Sequence, residues 1–198
     1  MAKGDYSFKA LSEVVLEQSE ASFWKDAVAE WDIDSMQEDL NLSESCICGH
    51  PHLRYLYRIC NRENGNMLFP IGSECIKRFG RDDFDEQVSI LEGMHHLYAA
   101  IMRREYIRLN SDYFTRRLLR HLYDAGAFQA NQYNRFDPEI DYNFMLDMFN
   151  KRDKSSISQS QKKKINAIIL FSIKPFLKDN LRFLDEDEIN DVFNRVFK

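Results

Sequence analysis

Glu44-Ser45-Cys46-Ile47-Cys48-Gly49-His50-Pro51-His52 leads into the run Leu53 to Cys60, then Asn61-Arg62-Glu63-Asn64-Gly65-Asn66, then Met67 to Ile71, then Gly72-Ser73-Glu74-Cys75-Ile76-Lys77-Arg78-Phe79-Gly80. All four cysteines of the chain lie inside this stretch. Leu53 to Cys60 reads as a strand. Asn64-Gly65 is a strong hairpin signal, because both residues tolerate the positive φ that a tight turn needs. Met67 to Ile71 returns as a second strand, which Pro70 confines to a sheet edge. The last segment reads as a short helix that stops at Gly80, with Cys75 in its first turn. A Cys-x-Cys-Gly knuckle, a β-hairpin and a helix carrying a third cysteine follow the order of a treble-clef-like zinc unit. The hairpin brings the end of its second strand back beside the start of its first, so Cys75 is expected to meet Cys46 and Cys48. The helix N-terminus would favour a thiolate there.

Structural zinc takes four ligands. The fourth has three candidates. Cys60 completes the count but sits near the hairpin tip. Eight strand residues from His52 span roughly 26 Å at about 3.3 Å each, which is too far for one coordination sphere. His50 and His52 adjoin the knuckle; His50 ranks first, His52 second and Cys60 third. One structural Zn2+ is the expected cofactor. A catalytic zinc would need an open position and a general base. Glu44 and Glu74 are near in sequence, but nothing marks either as a base.

On both sides of this unit the pattern is helical. Residues 1–43 predict N-terminal helices, one with Phe8, Leu11 and Val15 on a face and a second with Phe23, Trp24, Ala27, Val28 and Trp31. Residues 44–80 form the zinc unit, and residues 81–198 predict an α-helical bundle. Asp83 with Glu86 makes a capping box before Val88, Leu91, Met94, Tyr98 and Ile101. Ser111-Asp112 opens a helix with Phe114, Leu118 and Leu122 inward and Gly126 as its stop. Asp137-Pro138 starts another, with Ile140, Phe144, Met145 and Met148 on one face. Ser158 and Gln161 cap a fourth, which carries Ile165, Ile168, Ile169, Ile173 and Phe176. Asp185 and Glu188 cap a fifth, with Ile189, Val192, Phe193 and Val196. The fold class is mainly α with a small β-hairpin.

The 198 residues are 44% hydrophobic and 30% charged, a globular composition. The net charge is -5 and the isoelectric point about 5.6, against about 9 or more for a typical nucleic-acid binder. Ile165 to Phe176, the most apolar stretch, falls short of the roughly 20 residues of a membrane span, so no membrane partner is expected. Met1-Ala2-Lys3-Gly4-Asp5 has no apolar signal core, which predicts a cytosolic protein with free or metal-bound thiols.

Glu30-Trp31, Cys46-Ile47-Cys48-Gly49-His50, Asn61 with Asn64-Gly65-Asn66, and Ile71-Gly72-Ser73 with Cys75-Ile76 and Phe79 together resemble a zinc-knuckle family of phages and prophages. The resemblance covers about Glu30 to Gly80. Tyr113-Phe114 with Leu118-Leu119, and Asp147-Met148-Phe149-Asn150-Lys151-Arg152, resemble the helical extension of streptococcal phage members. Small acidic zinc proteins of this kind include anti-CRISPR inhibitors of type II-A effector nucleases. The resemblance implies a non-enzymatic inhibitor in the host bacterial cytoplasm, with the host type II RNA-guided nuclease as protein partner. Family members can carry Cys where this chain has Tyr57, which leaves the fourth ligand open.

The alternative is a nucleic-acid-binding zinc-finger-like protein. It would use Arg54, Arg58 and Arg62 of the hairpin and the stripe Arg103, Arg104, Arg108, Arg116, Arg117 and Arg120, interleaved with Tyr106 and Tyr113. The bland expectation for the stripe is a solvated helix face, as it is for Lys162-Lys163-Lys164. Of His95-His96, one is expected to pack and one to be solvated. Asp82 to Glu86 and Asp185 to Glu188 read as helix caps.

Overall fold

A computed structural model describes residues 3–181, with side chains from Phe8 onward. Its described residues divide into two compact units, one up to Ser89 and one of Ile90–Leu181. The predicted helix after Asp185 lies outside the described residues.

The first unit is a three-stranded antiparallel sheet with short helices. Helix α1 (Lys3–Glu17) buries Leu11 and Val15 as its period predicts. The second predicted helix is short, and Trp31, assigned to its face, instead begins a strand. Only Trp24–Ala27 (α2) and a 3-10 turn, Val28–Glu30, are helical. Trp31–Glu38 is strand β1 and pairs with β2 (Tyr55–Asn61), which pairs with β3 (Met67–Ile71). The predicted hairpin therefore gains a third strand, and β2 becomes central. The reason β1 escapes a period-2 reading is its bulge. Ile33 pairs with Ile59 and Ser35 with Arg58, so Asp34 is the extra residue. Trp31 and Met36, an odd number apart, can then both be buried. Pro70 sits on the edge strand, as a residue without an N–H must. Helix α3 (Ser73–Lys77) follows β3.

The asparagine-rich turn docks the sheet onto the end of α1. The side-chain amides of Asn61, Asn64 and Asn66 all donate to the Gln18 carbonyl, at 3.4, 3.1 and 3.1 Å. Asn61 also donates to Glu30 at 2.7 Å. The Glu30 carboxylate accepts from the N–H groups of Glu20 at 2.9 Å and Ala21 at 2.7 Å. Burial raises the Glu30 pKa, but these three donors outweigh it and hold the group below the usual carboxylate range. Trp31, fully buried, donates its indole N–H to Ser19 at 2.9 Å. Beside it, Phe8, Trp24, Phe79 and Phe84 form a chain of ring contacts 5.3 to 5.5 Å apart.

Helix α4 (Asp82–Met102) carries the division between the units. In the second unit, α5 (Arg116–Asp124) begins later than predicted. Thr115, not Ser111 or Asp112, is the N-cap, and its hydroxyl accepts from Leu118 N–H at 3.0 Å. Gly126 ends it at φ +82°. Helix α6 (Pro138–Asn150) starts at Asp137-Pro138 as predicted. It buries Asp141, Tyr142, Met145 and Met148, while Ile140 is exposed. Asp141 explains the change of face: it accepts from buried Asn134 at 2.9 Å and pairs with Lys164 at 2.8 Å. Lys164 is thus a structural cation rather than a solvated one. The Ser158–Gln161 capping box forms, opening α7 (Gln159–Ile168). A π-helical turn, Ile169–Ile173, then leads into α8 (Lys174–Asn180).

His95 is fully buried in α4, and burial lowers its pKa to about 4. Its neighbour His96 stacks on Tyr113 with ring centroids 5.6 Å apart. The unfolded chain binds a proton at His95 near pH 6.5 while the fold keeps it neutral. Stability is therefore complete above pH 6.5 and declines as the pH falls towards 4, by about 3 kcal/mol. Thermal melts at pH 7.5 and pH 5 should show this loss, and His95→Leu should remove most of the difference. Equal pH dependence in the two proteins would show that His95 is not its source.

Candidate metal centre

The loop before the knuckle is built around one carboxylate. Asp39, 3% exposed, accepts from the N–H groups of Asn41 (2.9 Å), Ser43 (2.8 Å) and Glu44 (3.1 Å), and from the Ser43 hydroxyl at 2.9 Å. Burial raises the Asp39 pKa, but these bonds prevail and hold it below the usual range. Asp39 N–H donates to Arg54 carbonyl at 2.7 Å and Leu53 N–H to Glu44 carbonyl at 3.0 Å, closing the neck of the loop.

The knuckle itself turns at Gly49, whose φ is +83°. Gly49 N–H donates to Cys46 carbonyl at 2.7 Å, and Cys46 N–H to His50 carbonyl at 2.8 Å. Ile47 N–H donates to Pro70 carbonyl at 3.0 Å, which pins the knuckle to the edge strand. The chain then passes from β3 through Gly72 into α3, and this brings Cys75 over the knuckle.

The sulfurs of Cys46, Cys48 and Cys75 all lie within 4.8 Å of one another, and all three residues are buried. Cys48 and Cys75 Sγ are 3.3 Å apart, and all the cysteines are free thiols. A tetrahedron with metal–sulfur bonds of about 2.3 Å has edges of about 3.8 Å. The cluster therefore has the size that a single ion requires. Its electrostatics fit too. Hydrogen bonding with Cys75, helped by the backbone N–H groups of Cys48 and Gly72, lowers the Cys46 pKa to about 5 against the opposing effect of burial. The Gly72 N–H lies 3.4 Å from the Cys46 sulfur. Cys75 is correspondingly pushed up by the same contact with Cys46 and by burial. A site that already stabilises thiolate needs a cation once all three sulfurs are deprotonated.

The other sequence candidates lie elsewhere. His50 and His52 are exposed and neither is a member of the three-sulfur cluster. The His52 ring nitrogen Nδ1 sits 3.1 Å from the Leu42 carbonyl. Cys60 faces Asp32 and Met67 across the sheet, at the far end of β2 from the cluster. Among the described residues, no second group of three or more His, Cys, Asp or Glu side chains closes in this way, His95-His96 included.

Sequence reading missed two supports of the centre. One is Asp39, for which Asp39-x-Asn41-x-Ser43 was an available turn signal. The other is Gly72, where the reason is steric and not visible in sequence. A Cβ there would sit 2.8 Å from Leu53 Cδ2, a buried side chain. Gly72→Ala should cost about 1–2 kcal/mol through displacement of Leu53, with metal stoichiometry retained. A melting temperature equal to wild type would show that Leu53 moves freely.

Among the described residues no helix is long and apolar enough to cross a membrane. Compared with known proteins, the chain matches no protein-family profile, no curated protein and no solved structure.

Proposed function

We propose that the protein is a zinc-stapled, non-enzymatic binding protein. On this reading, Cys46, Cys48 and Cys75 hold one structural Zn2+, with His50 as the fourth ligand and His52 as its alternative, in a treble-clef-like centre. Its action is the one implied by the resemblance of residues 30–80: inhibition of a host type II RNA-guided nuclease in the bacterial cytoplasm, by blocking DNA loading or cleavage. The observation that carries the metal part is the buried three-thiol cluster. Three soft sulfur donors completed by one imidazole are a donor set of structural zinc. His50 follows the knuckle directly, and its carbonyl already accepts from Cys46 N–H, which keeps its backbone beside the sulfurs. Neither nearby carboxylate is placed as a general base. Glu44 is exposed, and exposed Glu74 pairs with Lys77 at 2.7 Å.

The test is co-elution of the zinc-loaded protein with a guide-loaded type II nuclease, followed by a DNA-cleavage assay on the complex. A stable complex without cleavage supports the inhibitor reading; separate elution with intact cleavage defeats it for that nuclease. Cys60→Ser should keep one zinc per chain, and loss of the metal there would overturn the ligand assignment.

In the nucleic-acid reading, the hairpin arginines already have protein partners. Arg54 pairs with Glu38 at 2.7 Å, Arg62 with Asp32 at 3.2 Å, and Arg58 lies 5.2 Å over the Phe69 ring. Parts of the arginine stripe are engaged as well: Arg103 with Glu105 and Arg120 with Asp124, at 2.7 and 2.8 Å, and Arg116 with Asn150 at 2.8 Å.

A further inference from the structure

The second unit holds a cavity of about 370 Å3, lined among others by Tyr106, Arg108, Asn110, Lys154, Ile157 and Lys162. That is the size of a small-molecule site. Its lining is cationic, although the protein as a whole carries a net charge of -5. No carboxylate is among the lining residues. Among the described residues, neither Arg108 nor Lys162 takes part in an ion pair, in contrast to the neighbouring Arg103 and Arg120. Lys154 is different: its ammonium donates to the carbonyls of Met148 at 3.0 Å and Phe149 at 2.5 Å, at the end of α6. An ammonium has three N–H groups, so one remains beyond these carbonyls, with the Phe149 ring centroid 5.2 Å from Nζ. Burial lowers the Lys154 pKa.

Two further features define what such an anion is attached to. Tyr106 is 63% exposed at the cavity, while Ile107, Ile157 and Ile165 supply an apolar lining. A buried amide lies behind this lining. Asn110 Oδ1 is buried and has no hydrogen-bond partner. Its orientation is fixed, because Nδ2 donates to the Asp112 carboxylate at 2.7 Å. An amide turned the other way would set an oxygen against that carboxylate. Asn110 Oδ1 is sealed from the cavity, so it marks no ligand contact.

We propose that this cavity is a nucleotide site, independent of the zinc centre. Arg108, Lys162 and the third N–H of Lys154 take the phosphate. Tyr106 provides a ring face for the base, a contact that tolerates any base. The Tyr106 ring and the apolar lining of Ile107, Ile157 and Ile165 separate a nucleotide from a plain phosphate. The ligand is either a free mononucleotide or one nucleotide of a single-stranded chain, since both present the same groups.

The experiment uses the full-length, zinc-loaded protein. Calorimetric titrations take AMP, CMP, GMP and UMP, a ten-nucleotide single-stranded DNA, and inorganic phosphate as the control. Saturable binding of a mononucleotide or of the oligonucleotide, at least tenfold tighter than phosphate, is the expected result. Arg108→Ala with Lys162→Ala should weaken it by tenfold or more and flatten its salt dependence. Tyr106→Ala should weaken it severalfold without changing the salt dependence. Arg108 is exposed and Lys162 partly so, and an unchanged circular dichroism spectrum would confirm that the double variant folds. Tighter binding of a mononucleotide identifies a free ligand, and tighter binding of the oligonucleotide identifies a nucleic-acid chain. The proposal is overturned by no binding of either at millimolar concentration, by phosphate binding as well as the nucleotides, or by affinity unaffected in the folded double variant.

Discussion

Cys75→Ser should purify without metal and lose most of the stability of the first unit. The cluster joins two segments far apart in sequence, the knuckle at Cys46 to Gly49 and helix α3. A structural zinc contributes on the order of 10 kcal/mol to folding. A domain has only about 5–15 kcal/mol in total, so loss of one sulfur ligand should cost above about 5 kcal/mol. Zinc content measured by mass spectrometry and a thermal melt check this together. A Cys75→Ser protein with one zinc per chain and a wild-type melting temperature would sink the metal reading. A redox control separates it from a disulfide. Cys48 and Cys75 sulfurs are 3.3 Å apart, well beyond a covalent bond of about 2.05 Å. A chelator should therefore destabilise the protein and a reductant should not. The opposite pattern would assign the cluster to thiol oxidation.

Glu30→Ala should be nearly as damaging, although it touches no metal candidate. The carboxylate, 8% exposed, is the acceptor for two backbone N–H groups and for the Asn61 amide. Truncation leaves those donors buried without a partner. Hydrogen bonds to a charged group contribute about 1.5–3 kcal/mol each, so a loss of about 4 kcal/mol is expected. Glu30→Gln keeps an acceptor and should recover part of it. The acid dependence follows from the lowered pKa of Glu30. Its contribution is present above the ordinary carboxylate value of 4.5 and is lost as the pH falls through the depressed one. Urea unfolding of the three proteins at pH 7 gives the ranking wild type, Glu30→Gln, Glu30→Ala. Coincident midpoints for wild type and Glu30→Ala would show that water replaces the carboxylate without cost.

Local chemistry explains which parts of the fold could be read directly. Asp137-Pro138, the Ser158–Gln161 box and Gly126 act through atoms within a few residues, and each marks a helix end in the structure. Asn64-Gly65 likewise makes the turn between β2 and β3. The convergence of Cys46, Cys48 and Cys75 was legible for a related reason. A hairpin of known turn position fixes where its two ends meet, so distance in sequence ceases to matter. Cys60 falls at the other end by the same geometry.

The misreadings share a different cause. Trp31 fits a helical face with Phe23, Trp24, Ala27 and Val28, yet it begins β1 because β2 offers an unpaired edge and Asn61, Glu30 and Ser19 fix its position. Nothing near Trp31 in sequence encodes that edge. Ile140 fits the apolar face of α6, yet Asp141 is the residue turned inward, towards Asn134 and Lys164. A buried carboxylate is tolerable only when distant partners meet it, and periodicity sees apolar residues alone. Gly72 depends on Leu53 in the same way. The sequence by itself determined the start of α6, the start of α7, the stop at Gly126, the hairpin and the meeting of three thiols, because each follows from interactions spanning a few residues or from one turn. Only the tertiary structure decided the third strand, the inward face of α6 and the cationic cavity at Arg108 and Lys162, because each depends on groups far apart in the chain whose pairing exists only once the chain is packed.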